Sequence, residues 1–278
     1  MRIISAQEVI DTVAEMCISG NTGLPDDVRR AMETAMAEEN SDAAKEIFRQ
    51  LLENDDLSRE SKLPLCQDTG LAVFFIELGE ECRVEGGLNV AINEGVRKGY
   101  EDGFLRKSTC DPFSRKNVGD NTPAIIHTDL VPGDKLTISY MAKGGGAENM
   151  SRVTMLAPAQ GWEGIRKFVL NRVIEAGPNP CPPISIGIGI GGTYEEAAKI
   201  SKKALMRKMD DVHPDAEIAK LEKELLEEVN SLGIGPMGLG GKTTCLALKM
   251  AVMPCHLASL PLAINIQCHS SRHNKVVL

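Results

Sequence analysis

Cysteine is the residue type in this sequence that most clearly suggests chemistry. The chain contains eight cysteines, which are scattered and form no C-x-x-C pair. A secreted domain stapled by disulfides is smaller and denser in cysteine, so reduced thiols, some of them metal ligands, are the better interpretation. Three thiols lie at the ends of apolar, strand-like segments, where open α/β folds build their sites: Cys66, Cys181 and Cys268. Cys255 is a fourth candidate, and the others are expected to be buried and inert: Cys17, Cys82, Cys110 and Cys245.

Residues 187–192 (GIGIGG) match the dinucleotide-binding pattern G-x-G-x-x-G, after a strand and before a helix. The first two glycines alternate with isoleucines, as they would inside a strand rather than at a turn. Residues 202–209 are basic where a ribose-binding acid is expected. A nicotinamide site is therefore disfavoured.

Residues 235–243 (GPMGLGGKT) resemble a phosphate-binding P-loop, but Pro236 stands where that motif requires glycine. What remains is a flexible loop with exposed backbone amides and Lys242. Such a loop could hold any anion, including a carboxylate.

The hydrophobic pattern predicts the elements that must position these segments. Apolar residues at three- and four-residue spacing predict amphipathic helices at residues 6–19, 26–39 and 42–54, which form a helical N-terminal segment over about residues 1–55. Later helices are predicted at 88–100, 162–176, 195–208 and 215–230. Apolar runs of strand length predict strands at 71–78, 124–130, 135–141, 184–190, 244–250 and 262–267.

This alternation predicts an α/β fold with mixed β-sheets flanked by helices. The site is expected where strand ends and glycine-rich loops converge. No internal repeat or low-complexity linker interrupts the sequence, so residues 1–278 are expected to form one domain.

Charge and hydropathy exclude several classes of partner. The net charge is −8 and no basic stripe interrupts it, so binding to nucleic acid is not expected. No apolar run is long enough to span a bilayer, and the amino terminus has no signal-peptide pattern. We therefore expect a cytoplasmic protein that does not associate with membranes.

Three segments in the same order resemble those of one enzyme family. Residues 65–70 (LCQDTG), 144–149 (GGGAEN) and 235–243 are similar to segments of class I fumarases. The resemblance covers nearly the whole chain. It is to the alpha subunit of the two-chain fumarate hydratases and L-tartrate dehydratases, which is equivalent to the N-terminal domain of the single-chain enzymes.

The resemblance implies a 4Fe–4S cluster held by three cysteines, with one iron open to substrate. The matching positions here are Cys66, Cys181 and Cys268. An open iron can act as a Lewis acid on the substrate's hydroxyl and carboxylate oxygens. The resemblance also implies catalytic roles for Asp68 and His256. The substrate-binding positions that it implies are Gln67, Arg106, Gly145 and Gly146.

The activity implied by the resemblance is that of a hydro-lyase on a C4 dicarboxylate. Fumarate and L-malate are the first expectation and L-tartrate is the alternative, because no residue in the sequence decides between them. The resemblance further implies a separate beta subunit, in an assembly of two alpha and two beta chains, without which this chain is inactive. Two rivals are a nucleotide-dependent enzyme built on the glycine loops and a non-catalytic iron–sulfur subunit.

Overall fold

The structure is a computed structural model that describes residues 1–278. Its strands are β1 (Arg2–Ile4), β2 (Leu71–Gly79), β3 (Cys82–Val84), β4 (Ile125–Val131), β5 (Leu136–Lys143), β6 (Arg152–Leu156), β7 (Ile184–Gly192), β8 (Cys245–Cys255), β9 (Leu260–Gln267) and β10 (His273–Val277). Its helices are α1 (Ala6–Ser19), α2 (Asp26–Glu38), α3 (Asp42–Ser61), α4 (Leu88–Asp102), α5 (Gly145–Glu148), α6 (Gly161–Ala176), α7 (Tyr194–Ala204) and α8 (Ala216–Ser231). Every predicted helix and strand is present, which confirms the predicted α/β class with mixed sheets and flanking helices.

The chain divides into two compact units. The first unit comprises Met1–Pro25, Asn54–Gly145 and Arg272–Leu278, and the second comprises Asp26–Glu53 and Gly146–Ser271. The segments of the two units alternate along the chain. No composition shift or linker marks this division in the sequence.

The sheet of the first unit has the strand order β10-β5-β2-β4. β2 is parallel to β4 and antiparallel to β5, and its residues 72–76 are all buried. A strand that lies between two other strands and is buried in the core has a continuous apolar sequence rather than an alternating one. The sequence of β2 shows this pattern. Helices α1 and α4 supply Val13 and Ile92 to the same core. This sheet fixes residues 65–70, which lead directly into β2.

The sheet of the second unit has the order β6-β9-β7-β8. β7 is parallel to β8 and antiparallel to β9, with Ser185 paired to Gln267. The start of β7 and the end of β9 therefore lie at the same end of the sheet. Val173 of α6 and Leu225 of α8 pack in its core.

None of the helices combines the length and the apolar character that crossing a membrane requires.

Candidate active site

The loop that carries Cys66 and Asp68, residues 65–70, is called the site loop here. Its Leu65 N–H donates to the Asn21 carbonyl at 2.9 Å. The Leu65 carbonyl accepts from the side-chain amide of Asn54, also at 2.9 Å. Because both bonds hold the backbone next to Cys66, they fix the position of the thiol within the first unit. Cys66 is half-buried and Gln67 is exposed, so both side chains remain accessible to a ligand.

The carboxylate of Asp68 is oriented by two backbone amides. Its Oδ2 accepts from the Gly145 N–H at 2.8 Å, and its Oδ1 accepts from the Gly70 N–H at 3.0 Å. A carboxylate oxygen has more than one acceptor site, so both oxygens can still receive a proton or bond a ligand. The Gly145 amide, which the resemblance assigned to substrate, is thus already engaged with Asp68.

The exposed Arg106 begins a loop that is tied to the site loop through backbone groups. The Thr69 hydroxyl donates to the Arg106 carbonyl at 2.9 Å. The buried Asn121 accepts from the Ser108 N–H at 2.7 Å and donates to the Gly70 carbonyl at 3.2 Å. The first unit therefore brings Asp68, Arg106 and Gly145 together. Asn121 connects the two loops.

Two fully buried tyrosines lie behind the site loop. The Tyr100 hydroxyl is 3.0 Å from the carbonyl oxygens of both Thr69 and Gly70 and 3.4 Å from the Tyr140 hydroxyl. Asn21 donates to the Tyr140 hydroxyl at 3.1 Å. Burial raises the pKa of both phenols, so they stay neutral and can donate hydrogen bonds. These groups fix the backbone that follows Asp68.

The second unit places Cys181 and Cys268 next to each other in space. Cys181 lies three residues before β7, and Cys268 directly follows β9. The His269 N–H donates to the Cys181 carbonyl at 3.2 Å, and the His269 Nδ1 lies 3.2 Å from the same oxygen. Gly146 is exposed, and a Cβ at that position would stand 3.3 Å from the Asn179 carbonyl, so this glycine adjoins the Cys181 loop.

Burial follows the expectation for three of the four cysteines that were expected to be inert. Cys17, Cys82 and Cys245 are buried, and burial raises the pKa of Cys245 to about 12, which keeps it a thiol at neutral pH. Cys66, Cys110 and Cys268 are half-buried, and Cys181 and Cys255 are exposed. The expectation that Cys110 is buried is therefore wrong, and exposure alone does not single out the three cluster candidates. None of the eight cysteines forms a disulfide bond.

The donor set formed by the three candidate cysteines fits an iron–sulfur cluster in its chemistry, because such clusters are held by accessible cysteine thiolates. No three His, Cys, Asp or Glu side chains surround a single metal-ion position. Three side chains around one position would bind a single metal ion. In an iron–sulfur cluster each cysteine thiolate binds a different iron, so the thiolates need not surround one position.

His256 lies at the other end of the second unit's sheet from Cys181 and Cys268. Cys255 pairs with Gly192 at the end of β7, whereas Gln267, just before Cys268, pairs near the start of β7. β7 has nine residues, so the two ends are about 25 Å apart at about 3.3 Å per residue. His256 instead lines an apolar cavity of about 470 Å³ with Trp162. Within the second unit, His256 is therefore separated from Cys181 and Cys268, and its catalytic role stays a prediction.

The loop at residues 235–243 already holds an internal anion. The carboxylate of Glu39, which is 3% exposed, accepts from the Lys242 N–H at 2.7 Å and from the Asn40 N–H at 2.9 Å. Burial raises the pKa of Glu39, but the backbone N–H donors outweigh it and hold this pKa below its ordinary value. The Lys242 ammonium donates to the Glu38 carbonyl at 2.9 Å. The Lys242 backbone amide is therefore occupied by a carboxylate of the chain itself, whereas its ammonium group is exposed. The expectation that this loop could hold an external anion stays a prediction.

The G-x-G-x-x-G match is explained by close packing of α7 on β7. A Cβ on Gly187 would stand 2.0 Å from the Ser201 carbonyl, and one on Gly189 would stand 2.1 Å from the Ala197 carbonyl. Both glycines lie inside the strand, as their alternation with isoleucine predicted. They let the backbones of helix and strand approach each other, and this accounts for the motif without a dinucleotide.

Three residues that support the site loop were not predicted from the sequence: Asn21, Tyr100 and Asn121. Arg272 was expected only as a group close to Cys268, not as a partner of Asn21. Their bonds to the site loop and to Arg272 span 30 to 251 residues of sequence, so no local motif contains both partners. One feature of the sequence could have indicated them, namely a residue with a polar group at a position where the helix or strand pattern predicts an apolar one. Tyr100 in α4 is an example.

Comparison with known proteins finds relatives over nearly the whole chain. The family model described as Fumarate hydratase (Fumerase) matches residues 10–277. A Methanocaldococcus jannaschii protein with the provisional name L(+)-tartrate dehydratase subunit alpha is 44% identical over 272 residues, 95% of each chain. The L(+)-tartrate dehydratase subunit alpha of Escherichia coli O157:H7 is 30% identical, over 99% of this chain and 92% of its own length. The protein of the same name in Escherichia coli strain K12 is 29% identical with the same coverage.

Proposed function

The chain belongs to the fumarate hydratase (Fumerase) family of hydro-lyases, and we propose that it is the alpha subunit of an L(+)-tartrate dehydratase. The observation that carries the proposal is the name shared by the full-length relatives at 44% and 30% identity. The sequence alone placed fumarate first, and the relatives reverse that order. Fumarate hydration remains the second candidate, because the matching family model carries that description.

We propose that Cys66, Cys181 and Cys268, none of which is buried, hold the 4Fe–4S cluster that the resemblance implies. Their thiol chemistry and exposure support this assignment. A bound cluster with one open iron would supply Lewis-acid stabilisation of the hydroxyl group that leaves. The hydrogen bonds to the Cys181 carbonyl would keep the two cysteines of the second unit close together.

Asp68 is the proposed acid–base group of this chain. Dehydration removes a proton from the carbon next to one carboxylate and hydroxide from the neighbouring carbon, and a positioned carboxylate can accept or donate the proton. The amides of Gly145 and Gly70 orient Asp68 from one side, and the side chain is only half-buried, so its other lone pairs can reach substrate.

Arg106 is the proposed anchor for a substrate carboxylate. Its side chain is exposed, and its backbone is bonded to the residue after Asp68, so a substrate held by Arg106 would stand near Asp68. A guanidinium group can bind a carboxylate through two parallel hydrogen bonds. Gln67, beside Asp68, and the exposed Gly146 are proposed to add further polar contacts.

The relatives are named as alpha subunits, which supports a separate beta subunit as partner. We propose the arrangement of two alpha and two beta chains that the resemblance implies. The test is to co-express the alpha and beta chains anaerobically and to assay L-tartrate, D-tartrate, L-malate and fumarate, with the alpha chain alone as control. We expect the pair to dehydrate L-tartrate with a higher kcat/KM than L-malate, and the alpha chain alone to be inactive. A pair that prefers L-malate would refute the tartrate assignment.

The role of Asp68 is tested by Asp68→Asn in the same pair. Removing a general acid–base group lowers kcat by about 10²- to 10⁴-fold. Asp111→Asn is the matched control, because Asp111 also accepts two backbone amides, in an exposed turn of the same unit. Equal kcat values for the two variants would contradict the proposed role.

The rival interpretation as a non-catalytic iron–sulfur subunit predicts a different cluster. A cluster with an open iron should lose that iron in air and leave a three-iron form, whereas a fully ligated cluster should tolerate oxygen. Electron paramagnetic resonance spectra of the anaerobic pair, taken before and after exposure to air, distinguish the two.

A further inference from the structure

Arg272 carries a positive charge that is buried behind the site loop. Its side chain is 1% exposed. Nη1 donates to the Asn21 amide oxygen at 2.8 Å, which is a neutral acceptor, and the buried Nε has no hydrogen-bond partner. The backbone of Arg272 is fixed as well, because its carbonyl accepts from the Ala142 N–H at 3.0 Å.

A buried cation with a neutral acceptor and an unpaired donor is costly, since burial removes the hydration that stabilises the charge. An apolar side chain of similar size would avoid this cost. A buried guanidinium at position 272 is explained if it attracts an anion close by.

The Asp68 carboxylate is an anion close by, and Gly144 lies next to both groups. A Cβ on Gly144 would stand 3.2 Å from the Asp68 Oδ2 and 3.6 Å from the Arg272 Nη2. Because glycine has no Cβ, residue 144 places no side chain between the guanidinium and the carboxylate. The same Oδ2 accepts the hydrogen bond from Gly145.

We infer that Arg272 is a positioning residue for Asp68: its buried charge, acting across Gly144, holds the Asp68 carboxylate on the amides of Gly145 and Gly70. The importance of this orientation for catalysis rests on the proposed function. The orientation itself is a property of the first unit and can be measured without turnover.

The experiment compares Arg272→Gln, which removes the charge, with Arg272→Lys, which keeps it. In the anaerobic alpha–beta pair, we expect Arg272→Gln to lower kcat about 10- to 100-fold with little change in KM, because a displaced catalytic group can cost about 100-fold. Arg272→Lys should restore most of that loss. The matched control is Arg172→Gln, which removes a second buried arginine, one that donates to the Met150 carbonyl and to Glu175 in the second unit. It should leave kcat unchanged.

A second variant keeps the inference testable if Arg272→Gln does not fold. Asn21→Asp is isosteric and places a competing carboxylate beside the guanidinium. It should therefore lower kcat with the arginine still present. Wild-type kcat in a folded Asn21→Asp pair would overturn the inference, and so would equal losses in Arg272→Lys and Arg272→Gln.

Hydrogen exchange at the Gly145 and Gly70 amides separates this inference from the proposed function. Both amides should exchange faster in Arg272→Gln than in the wild type or in Arg272→Lys, whether or not the pair turns over tartrate. Unchanged exchange would refute the positioning role. An inactive wild-type pair in which exchange still responds as expected would refute only the proposed function.

Discussion

Replacing Glu39 by glutamine tests whether the glycine-rich loop is held together by an internal carboxylate. One oxygen of Glu39 accepts from Asn40 at 2.9 Å and from Ser41 at 3.2 Å, and the other accepts from Lys242 at 2.7 Å. A glutamine must turn its NH₂ group towards one of these sets of N–H donors, so at least one charge-assisted bond is lost and a buried donor is left unpaired. Each such bond contributes about 1.5–3 kcal/mol, so we expect Glu39→Gln to lower the free energy of unfolding by about 2–4 kcal/mol.

The assay is urea unfolding followed by far-ultraviolet circular dichroism, with Glu38→Gln as the matched control. Glu38 is the preceding residue and is exposed, and its side chain makes none of these bonds, so Glu38→Gln should stay within about 0.5 kcal/mol of the wild type. Equal unfolding midpoints for the two variants would show that the loop does not depend on the carboxylate.

The pH dependence follows from the lowered pKa of Glu39 in the folded chain. A carboxyl group with a lower pKa in the folded state stabilises the fold above its unfolded pKa of about 4.3. This contribution is lost as the pH falls through the folded pKa. The difference in free energy between the wild type and Glu39→Gln should therefore be constant above about pH 5 and narrow as the pH falls below about 4. A difference that widened in acid would contradict this sign.

Three further predictions concern packing, the cluster and the loop that carries Arg106. Gly187→Ala should destabilise the chain by about 1–3 kcal/mol in thermal unfolding, because the new Cβ would stand 2.0 Å from the Ser201 carbonyl in helix α7. The control is Ala198→Gly, which changes a residue of α7 without creating that clash. Serine at Cys66, Cys181 or Cys268 should greatly lower the iron content of the anaerobic pair, whereas Cys110→Ser should leave it unchanged; loss of iron in Cys110→Ser alone would refute the ligand assignment. Asn121→Ala removes the acceptor for Ser108 and Thr109 and should raise KM for the dicarboxylate, with Asn117→Ala, also in that loop, as the control.

The regular elements could be predicted from the sequence because each long helix and strand has its own apolar period. The strands that escaped prediction, β1, β3, β6 and β10, have three to five residues, too few for a period to show. Their existence depends on partners elsewhere in the chain, such as β5 for β10.

The residues of the candidate site were predicted unevenly, and the reason is physical. Cys66 and Asp68 share one hexapeptide, so a local motif reveals them. Arg272 and Asn21 are 251 residues apart, and their contact exists only after the chain has folded. His256 and Cys268 are only twelve residues apart, but the β-hairpin between them places them at opposite ends of the sheet. The catalytic role of His256 therefore stays a prediction.

The three glycine-rich segments of this chain use the absence of a Cβ for three different purposes. Gly187 lets the α7 backbone contact a strand, Gly241 leaves room for the Glu39 carboxylate, and Gly144 leaves the space between Asp68 and Arg272 open. The space beside Gly187 is filled by the α7 backbone, and the space beside Gly241 is filled by the Glu39 carboxylate. Both groups belong to the second unit itself, so no ligand is needed to explain these two glycines. Only the third adjoins a half-buried carboxylate with lone pairs to spare. A glycine motif in this fold therefore indicates a functional site only when the group that its backbone admits can also reach a substrate.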